Sequence, residues 1–278
     1  MKPHPSDPAR IWWCPTGPFA FLPLHAAGIY THDFQSPGSC VSDFVISSYT
    51  PTVSTLLEKV NASDTGRPLI SKVLLISQPS TPDLPPIHGT TREANAVSRI
   101  VGSDGCESLL LEGSVAIVSR VKQEMESCGW VHLACHAIQN IHNPLRSGFF
   151  LHDGQLELGE LMKQRIPQCE LAFLSACQTS TGDEKLSEEA VHLAAGMLAV
   201  GYQGVVATMW SIKDSYAPKV AEAFYDYLVK KRKNDKNSGL DSTHAAYALH
   251  HAMQVIRKDI GDTEYGLLTW VPYVHFGL

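Results

Sequence analysis

Apolar residues in this chain fall into short unbroken runs separated by longer amphipathic stretches. Five runs lack polar alternation: KVLLIS (72–77), ESLLLEG (107–113), WVHLAC (130–135), LAFLSAC (171–177) and GVVATMW (204–210). A strand covered on both faces needs apolar residues at odd and even positions alike, so these runs predict buried parallel strands. REANAVSRIV, SVAIVSRVKQEMES and LSEEAVHLAAGMLAVG lie between them and carry apolar residues at helical spacing. Strands alternating with helices of this length predict βαβ units, hence an α/β fold whose parallel sheet is covered on both faces. In SGFFLHDGQLELGEL (147–161) the HDG between short apolar stretches predicts a hairpin. Two further helices are predicted over YAPKVAEAFYDYLVK and STHAAYALHHAMQVIR. KKRKNDKNSG (230–239), charged and without periodicity, is expected to be an exposed loop, with KKRK (230–233) read as a solvated helix end running into it and only weakly similar to a nuclear-localisation patch.

The opening RIWWCPTGPFAFLPLHAAGIY is broken by Pro and Gly, and no repeat or linker divides the chain. Residues 1–10 are expected to be a flexible tail and residues 11–278 a single domain. The net charge of −6 argues against nucleic acid or an anionic membrane as a general partner. No apolar run reaches the roughly 18 residues of a membrane span, and MKPHPSDPAR lacks the apolar core of a signal peptide. Seven scattered cysteines with no CxxC pair fit a reducing, cytoplasmic compartment and no disulfide framework.

Two of the predicted strands end in reactive residues. In a parallel sheet ligands gather at the strand carboxyl ends. WVHLACHA delivers His136 there and LAFLSAC delivers Cys177, a separation long enough for a crossover that returns the second strand beside the first. A thiol and an imidazole within reach of one carbonyl are the parts of nucleophilic catalysis. Backbone N–H groups at Ala137 and Cys177 are candidates for holding the oxyanion. The polar loop QTSTGDE (178–184) would let backbone approach a substrate. Taken one at a time, a strand-end Cys and a lone His are ordinary packing residues; the pairing raises them to a candidate site. A metal site is not expected. His132 and His136 face the same way along a strand while Cys135 faces the other, and no further ligand follows at suitable spacing. No GxGxxG or P-loop motif follows any strand, and no cofactor is expected. Asp214, beyond the fifth strand, reads either as a helix N-cap for the YAPKV segment or as an acid flooring a pocket for a basic side chain. Trp210 either walls that pocket or packs the sheet edge. Glu188 and Glu189 read as helix N-terminal charges.

HLACHA, LAFLSACQTSTGDE, EEAVHLAAGMLAVG, GVVATMWSIKDS and WVPYVHFGL together resemble the CHAT domain, the caspase-like peptidases of the separase branch, and their wording is most similar to fungal members. The opening WWCPTGPFAFLPLHAAG is similar to the family's first strand and turn. The resemblance implies a caspase-like three-layer α/β/α sandwich with a mostly parallel central sheet. It also implies a His136–Cys177 dyad in a cysteine endopeptidase acting on protein or peptide substrates, with an N-terminal repeat domain (of the TPR type) or a regulatory protein as partner. In related separases an acid at the position of Asp214 receives a basic P1 residue; with such a preference KKRK becomes a self-cleavage site. Two positions depart from the family pattern: Ala137 stands where Gly is frequent, and Gln178 where Glu is frequent. The alternative function is a scaffold that keeps the fold and cleaves nothing, against which the retained His and Cys argue.

Overall fold

The computed structural model describes the chain except residues 1–7, 31–37, 63–71, 104, 141, 165, 167, 176, 179–188, 213 and 236–238. Twelve strands are formed among the described residues. In chain order they are β1 (Ala9–Trp13), β2 (Val45–Tyr49), β3 (Lys72–Ser77), β4 (Glu107–Glu112), β5 (Trp130–Ala134) and β6 (His136–Ile138). β7 (Gly148–Phe150), β8 (Gln155–Glu157), β9 (Leu171–Leu174), β10 (Cys177–Gln178), β11 (Gly204–Thr208) and β12 (Tyr273–Gly277) follow. The helices are α1 (Val53–Ala62), α2 (Gly89–Gly102), α3 (Val118–Met125), α4 (Leu158–Lys163), α5 (Glu189–Val200), α6 (Ala217–Asp235), α7 (Ala245–Ile260) and α8 (Glu264–Trp270).

Eight strands form the central sheet in the order β1-β2-β12-β11-β9-β5-β3-β4. Every neighbouring pair is parallel except β11 with β12. The sheet is therefore two parallel blocks joined antiparallel, and β3, β5, β9 and β11 open their carboxyl ends at one edge. Residue patterns explain which strands lie inside. β5, β11 and β12 are buried at every position, whereas β1 and β4, at the two edges, are mostly half-buried or exposed, Leu111 of β4 alone being buried.

Two apolar layers sandwich this sheet. On one face Leu74, Val131, Leu133, Ala172 and Val205 pack with Val121 and Met125 of α3, Leu161 of α4 and Met197 of α5. On the other, Val73, Leu75, Phe173 and Val206 pack with Val97 of α2, Phe224 of α6 and Leu249 of α7. This is the three-layer α/β/α sandwich with a mostly parallel sheet expected from the sequence.

A second, four-stranded sheet, β10-β6-β7-β8, stands at the carboxyl edge of the first. The predicted hairpin is β7 with β8, closed by the Leu151 N–H donating to the Gly154 carbonyl at 2.8 Å. Asp153 of the HDG turn also accepts from the Val118 N–H, 2.8 Å, at the start of α3.

KKRK is the solvated helix end expected, Lys230–Lys233 continuing α6; the expected loop starts later than its charge pattern suggests, because the helix runs on to Asp235. Lys and Arg are good helix formers, cations suit a helix carboxyl end, and Asp226 pairs with Lys230 one turn on at 2.6 Å. Residues 236–238 of the expected loop lie outside the described residues. At the amino end, β1 starts at Ala9, two residues before the expected start of the domain, and Arg10 reaches Ser48 at 3.0 Å and the Gly277 carbonyl at 3.3 Å.

Candidate active site

β6 follows β5 after a single residue, Cys135, and β10 follows the end of β9 in the same way after Ser175 and residue 176. In the central sheet Trp130 pairs with Leu171 and Leu133 with Leu174; in the second sheet His136 pairs with Cys177. The offset is 41 positions in both pairings, so the two strands stay in phase across the interruption. Because β6 and β10 run parallel, His136 and Cys177 stand on one rung of the ladder. The structure thus brings the two residues together. The loop after Cys177, residues 179–184, and Glu188 lie outside the described residues; Glu189 begins α5.

His136 is 3% exposed. Its Nε2 lies 2.7 Å from the carbonyl oxygen of Pro85, in the loop that leads into α2. A carbonyl only accepts, so Nε2 carries the hydrogen and the neutral ring keeps its lone pair on Nδ1. Nδ1 is buried and has no hydrogen-bond partner among the described residues. An imidazole held this way has a fixed tautomer and one nitrogen free to take a proton. Ala137, next along β6, is fully buried between Gln178 of β10 and Phe149 of β7. Cys135 is also buried and points to the apolar layer; burial pushes its thiol far up, keeping it protonated.

Asp214 caps a helix, though not the one expected. Its carboxylate accepts from the N–H of Gly89 at 2.8 and 3.1 Å, so it closes the amino end of α2 instead of α6. The approach is close enough to require glycine: a Cβ at position 89 would sit 2.2 Å from the Asp214 Oδ1. Asp214 is half-buried and one donor leaves carboxylate lone pairs free. Trp210 is half-buried and packs against both apolar layers at the carboxyl end of β11.

His132 has a separate task. Its Nε2 lies 3.0 Å from Oε1 of Glu93 and its Nδ1 3.3 Å from the Tyr225 hydroxyl, while its ring stacks on Phe173 at 4.7 Å between centroids. Glu93 and the Pro85 carbonyl were not foreseen from the sequence. A carbonyl leaves no residue signature. Glu93 did leave one: it stands four and eight residues before Val97 and Val101, on the face of α2 that is fully buried, where a carboxylate needs partners.

The CHAT domain family profile matches residues 1–278 of the chain. No curated protein matches it in sequence. Among solved structures it is similar to the Arg-specific cysteine proteinase gingipain R of Porphyromonas gingivalis, with a TM-score of 0.55 and 12% identity, over 84% of this chain and 54% of that one. It is also similar to the separase of Saccharomyces cerevisiae in its complex with securin, with TM-scores of 0.54 and 0.55 and identities of 14% and 16%. These matches take in 86% and 87% of this chain but 14% and 15% of separase, so the chain spans about half of gingipain R and a small part of separase. At such identities the likeness is one of fold. Among the described residues no helix is long and apolar enough to cross a membrane.

Proposed function

The chain belongs to the CHAT domain family, and from that premise we propose that it is a cysteine endopeptidase working through His136 and Cys177. The observation that carries the proposal is the half-satisfied imidazole: Nε2 pinned by Pro85, Nδ1 without a partner among the described residues, on the same rung as Cys177. The Cys177 thiol gives its proton to Nδ1, and the thiolate attacks the peptide carbonyl carbon. Backbone N–H groups at Ala137 and Cys177 receive the oxyanion. The imidazolium then protonates the leaving amine as the C–N bond breaks, and an acyl-enzyme remains on sulfur. Water, deprotonated by His136, attacks this thioester and releases the carboxylate product and the free thiol.

A finer reading concerns the substrate. Asp214, with lone pairs left over from Gly89, takes a basic P1 side chain, and Trp210 lines the same pocket. The fold likeness to an Arg-specific proteinase supports this direction. The separase neighbours are held with securin, which supports a protein regulator for this chain as well; an N-terminal repeat domain is the other partner proposed. The six described cysteines are all free thiols, which supports a reducing, cytoplasmic setting.

A proteome-derived peptide library, digested under reducing conditions and read by mass spectrometry, tests the reading. Cleavage by the native chain and none by Cys177→Ala is expected. Equal cleavage by both would refute it, and cleavage by neither in the presence of a reactive Cys177 would favour the scaffold. With Asp214→Asn, the preference for Arg or Lys before the cut should fall about tenfold or more, as expected for losing a charged hydrogen bond. An unchanged preference would remove Asp214 from the substrate pocket.

A further inference from the structure

We infer that Glu93 is a positioning residue that holds the two strand ends carrying His136 and Cys177 at their working separation, an inference that rests on the peptidase reading above. Glu93 belongs to α2 and is 1% exposed. Its Oε1 accepts from His132 on β5, four residues before His136, at 3.0 Å. Its Oε2 accepts from the hydroxyl of Ser175, the residue after β9 and two before Cys177, at 2.9 Å. One carboxylate therefore holds both strands, from the helix side, where their own pairing lapses: the ladder stops at Leu133 with Leu174 and resumes at His136 with Cys177.

The connection is closed. His132 is fully buried, and its other nitrogen meets the Tyr225 hydroxyl at 3.3 Å. Burial, and then the charge of Glu93, push the Tyr225 phenol far up, so it stays neutral and hydrogen-bonding. No polar side-chain atom of Glu93, His132, Ser175 or Tyr225 is a buried orphan. A fully satisfied buried network is stiff, and it is costly to shift any one member of it. The same helix begins at Gly89, under the Asp214 carboxylate, and follows the loop whose Pro85 carbonyl holds His136. Glu93 thus fixes β5 and β9 to the element that orients the imidazole. Displacements of about 1 Å in such a constellation cost on the order of 100-fold in rate.

Three variants test the role. Ser175→Ala removes one link and a single oxygen. Glu93→Ala removes both links. Glu93→Gln keeps both: its carbonyl accepts from Ser175, its amide donates to His132, and the imidazole changes tautomer with the Tyr225 hydroxyl as acceptor. For Ser175→Ala and Glu93→Ala, kcat should fall about 10- to 100-fold with KM within about twofold, and Glu93→Gln should stay within about threefold of the native chain. Alkylation by iodoacetamide at pH 6, followed by mass spectrometry on the Cys177 peptide, should slow by a similar factor in Ser175→Ala. The peptide holding exposed Cys14 serves as the internal reference and should not change. If Glu93→Ala fails to fold, Ser175→Ala, with its melting checked by circular dichroism, decides alone. A folded Ser175→Ala with native kcat and native alkylation at Cys177 would overturn the inference and leave the peptidase reading standing. So would a Glu93→Gln as slow as Ser175→Ala, which would make the charge and not the held geometry the active quantity. A native chain that cleaves nothing, with Cys177 no more reactive than Cys14, would instead overturn the peptidase reading.

Discussion

His25 and His136 are both buried imidazoles with Nε2 on a backbone carbonyl, Val271 at 2.9 Å for the first and Pro85 at 2.7 Å for the second. They differ at the other nitrogen. Nδ1 of His25 meets the Tyr49 hydroxyl at 2.8 Å, in the block of β1, β2 and β12, and the ring is fully occupied. Nδ1 of His136 meets nothing among the described residues, and His136 shares its rung with a cysteine. A satisfied imidazole is a structural cross-link; a half-satisfied one beside a nucleophile is equipped for proton transfer. The vacancy alone does not suffice. His275 also has an Nε2 without a partner among the described residues, but it faces Val206 across the middle of the sheet, away from any strand carboxyl end.

The contrast predicts opposite consequences of removing the two rings. His136→Ala should lower kcat about 1,000-fold, the scale of lost acid–base assistance, with little change in melting temperature. His25→Ala should do the reverse. It leaves the Tyr49 hydroxyl hydrogen and the Val271 carbonyl without partners in the interior, although the residue 25 N–H still reaches the Tyr49 oxygen, which costs about 3 kcal/mol and several degrees of melting temperature, with kcat per folded molecule retained. A His25→Ala variant of native stability, or one losing activity in proportion to His136→Ala, would erase the distinction.

Acid separates the two regions as well. Burial, partly offset by the Val271 carbonyl, lowers the His25 pKa from 6.5 to about 4. As pH falls the unfolded chain binds this proton first, so the stability His25 lends is complete above 6.5 and is lost towards pH 4. The size of the loss is about 3 kcal/mol. Burial lowers His275 and His250 in the same direction and steepens the fall. Thermal melts between pH 7 and 4 should show it, and His25→Gln should flatten the curve; an unaltered curve would contradict the assignment. The smallest expected effect is at the joint that serves only the β5–β9 block. Gly89→Ala drives a methyl into the Asp214 carboxylate and its backbone carbonyl, so that the cap is lost and the chain must shift, and should cost about 2 kcal/mol by calorimetry, the upper worth of a helix cap.

The same two regions mark how far the sequence could be read. KVLLIS, WVHLAC, LAFLSAC and GVVATMW announce themselves because strands covered on both faces have no polar alternation to hide them. The block of β1, β2 and β12 is less legible. β12 enters between β11 and β2 through a contact between Phe276 and Tyr49, residues distant in sequence, and no local pattern encodes such a pairing. His136 and Cys177 were legible as a His and a Cys at the ends of two strands, and the register that sets them on one rung came only with the fold. Pro85 acts through its carbonyl, which every residue possesses, and Asp214 chose α2 over its own neighbouring helix because β3 and β11 open at the same edge. KKRK was legible as a solvated helix end, where Lys and Arg are content, but no local pattern marked how far towards Asp235 the helix would run.

The central claim is that Cys177 is a nucleophile served by His136. The most direct test is covalent trapping with a pair of peptide acyloxymethyl ketones, one with Arg and one with Leu before the reactive group, followed by intact mass and peptide mapping. The account predicts a single adduct on Cys177, faster with Arg, lost in Cys177→Ala and slowed about 1,000-fold in His136→Ala. Labelling at Cys14 alone, or an adduct on Cys177 that forms equally fast without His136, would contradict it.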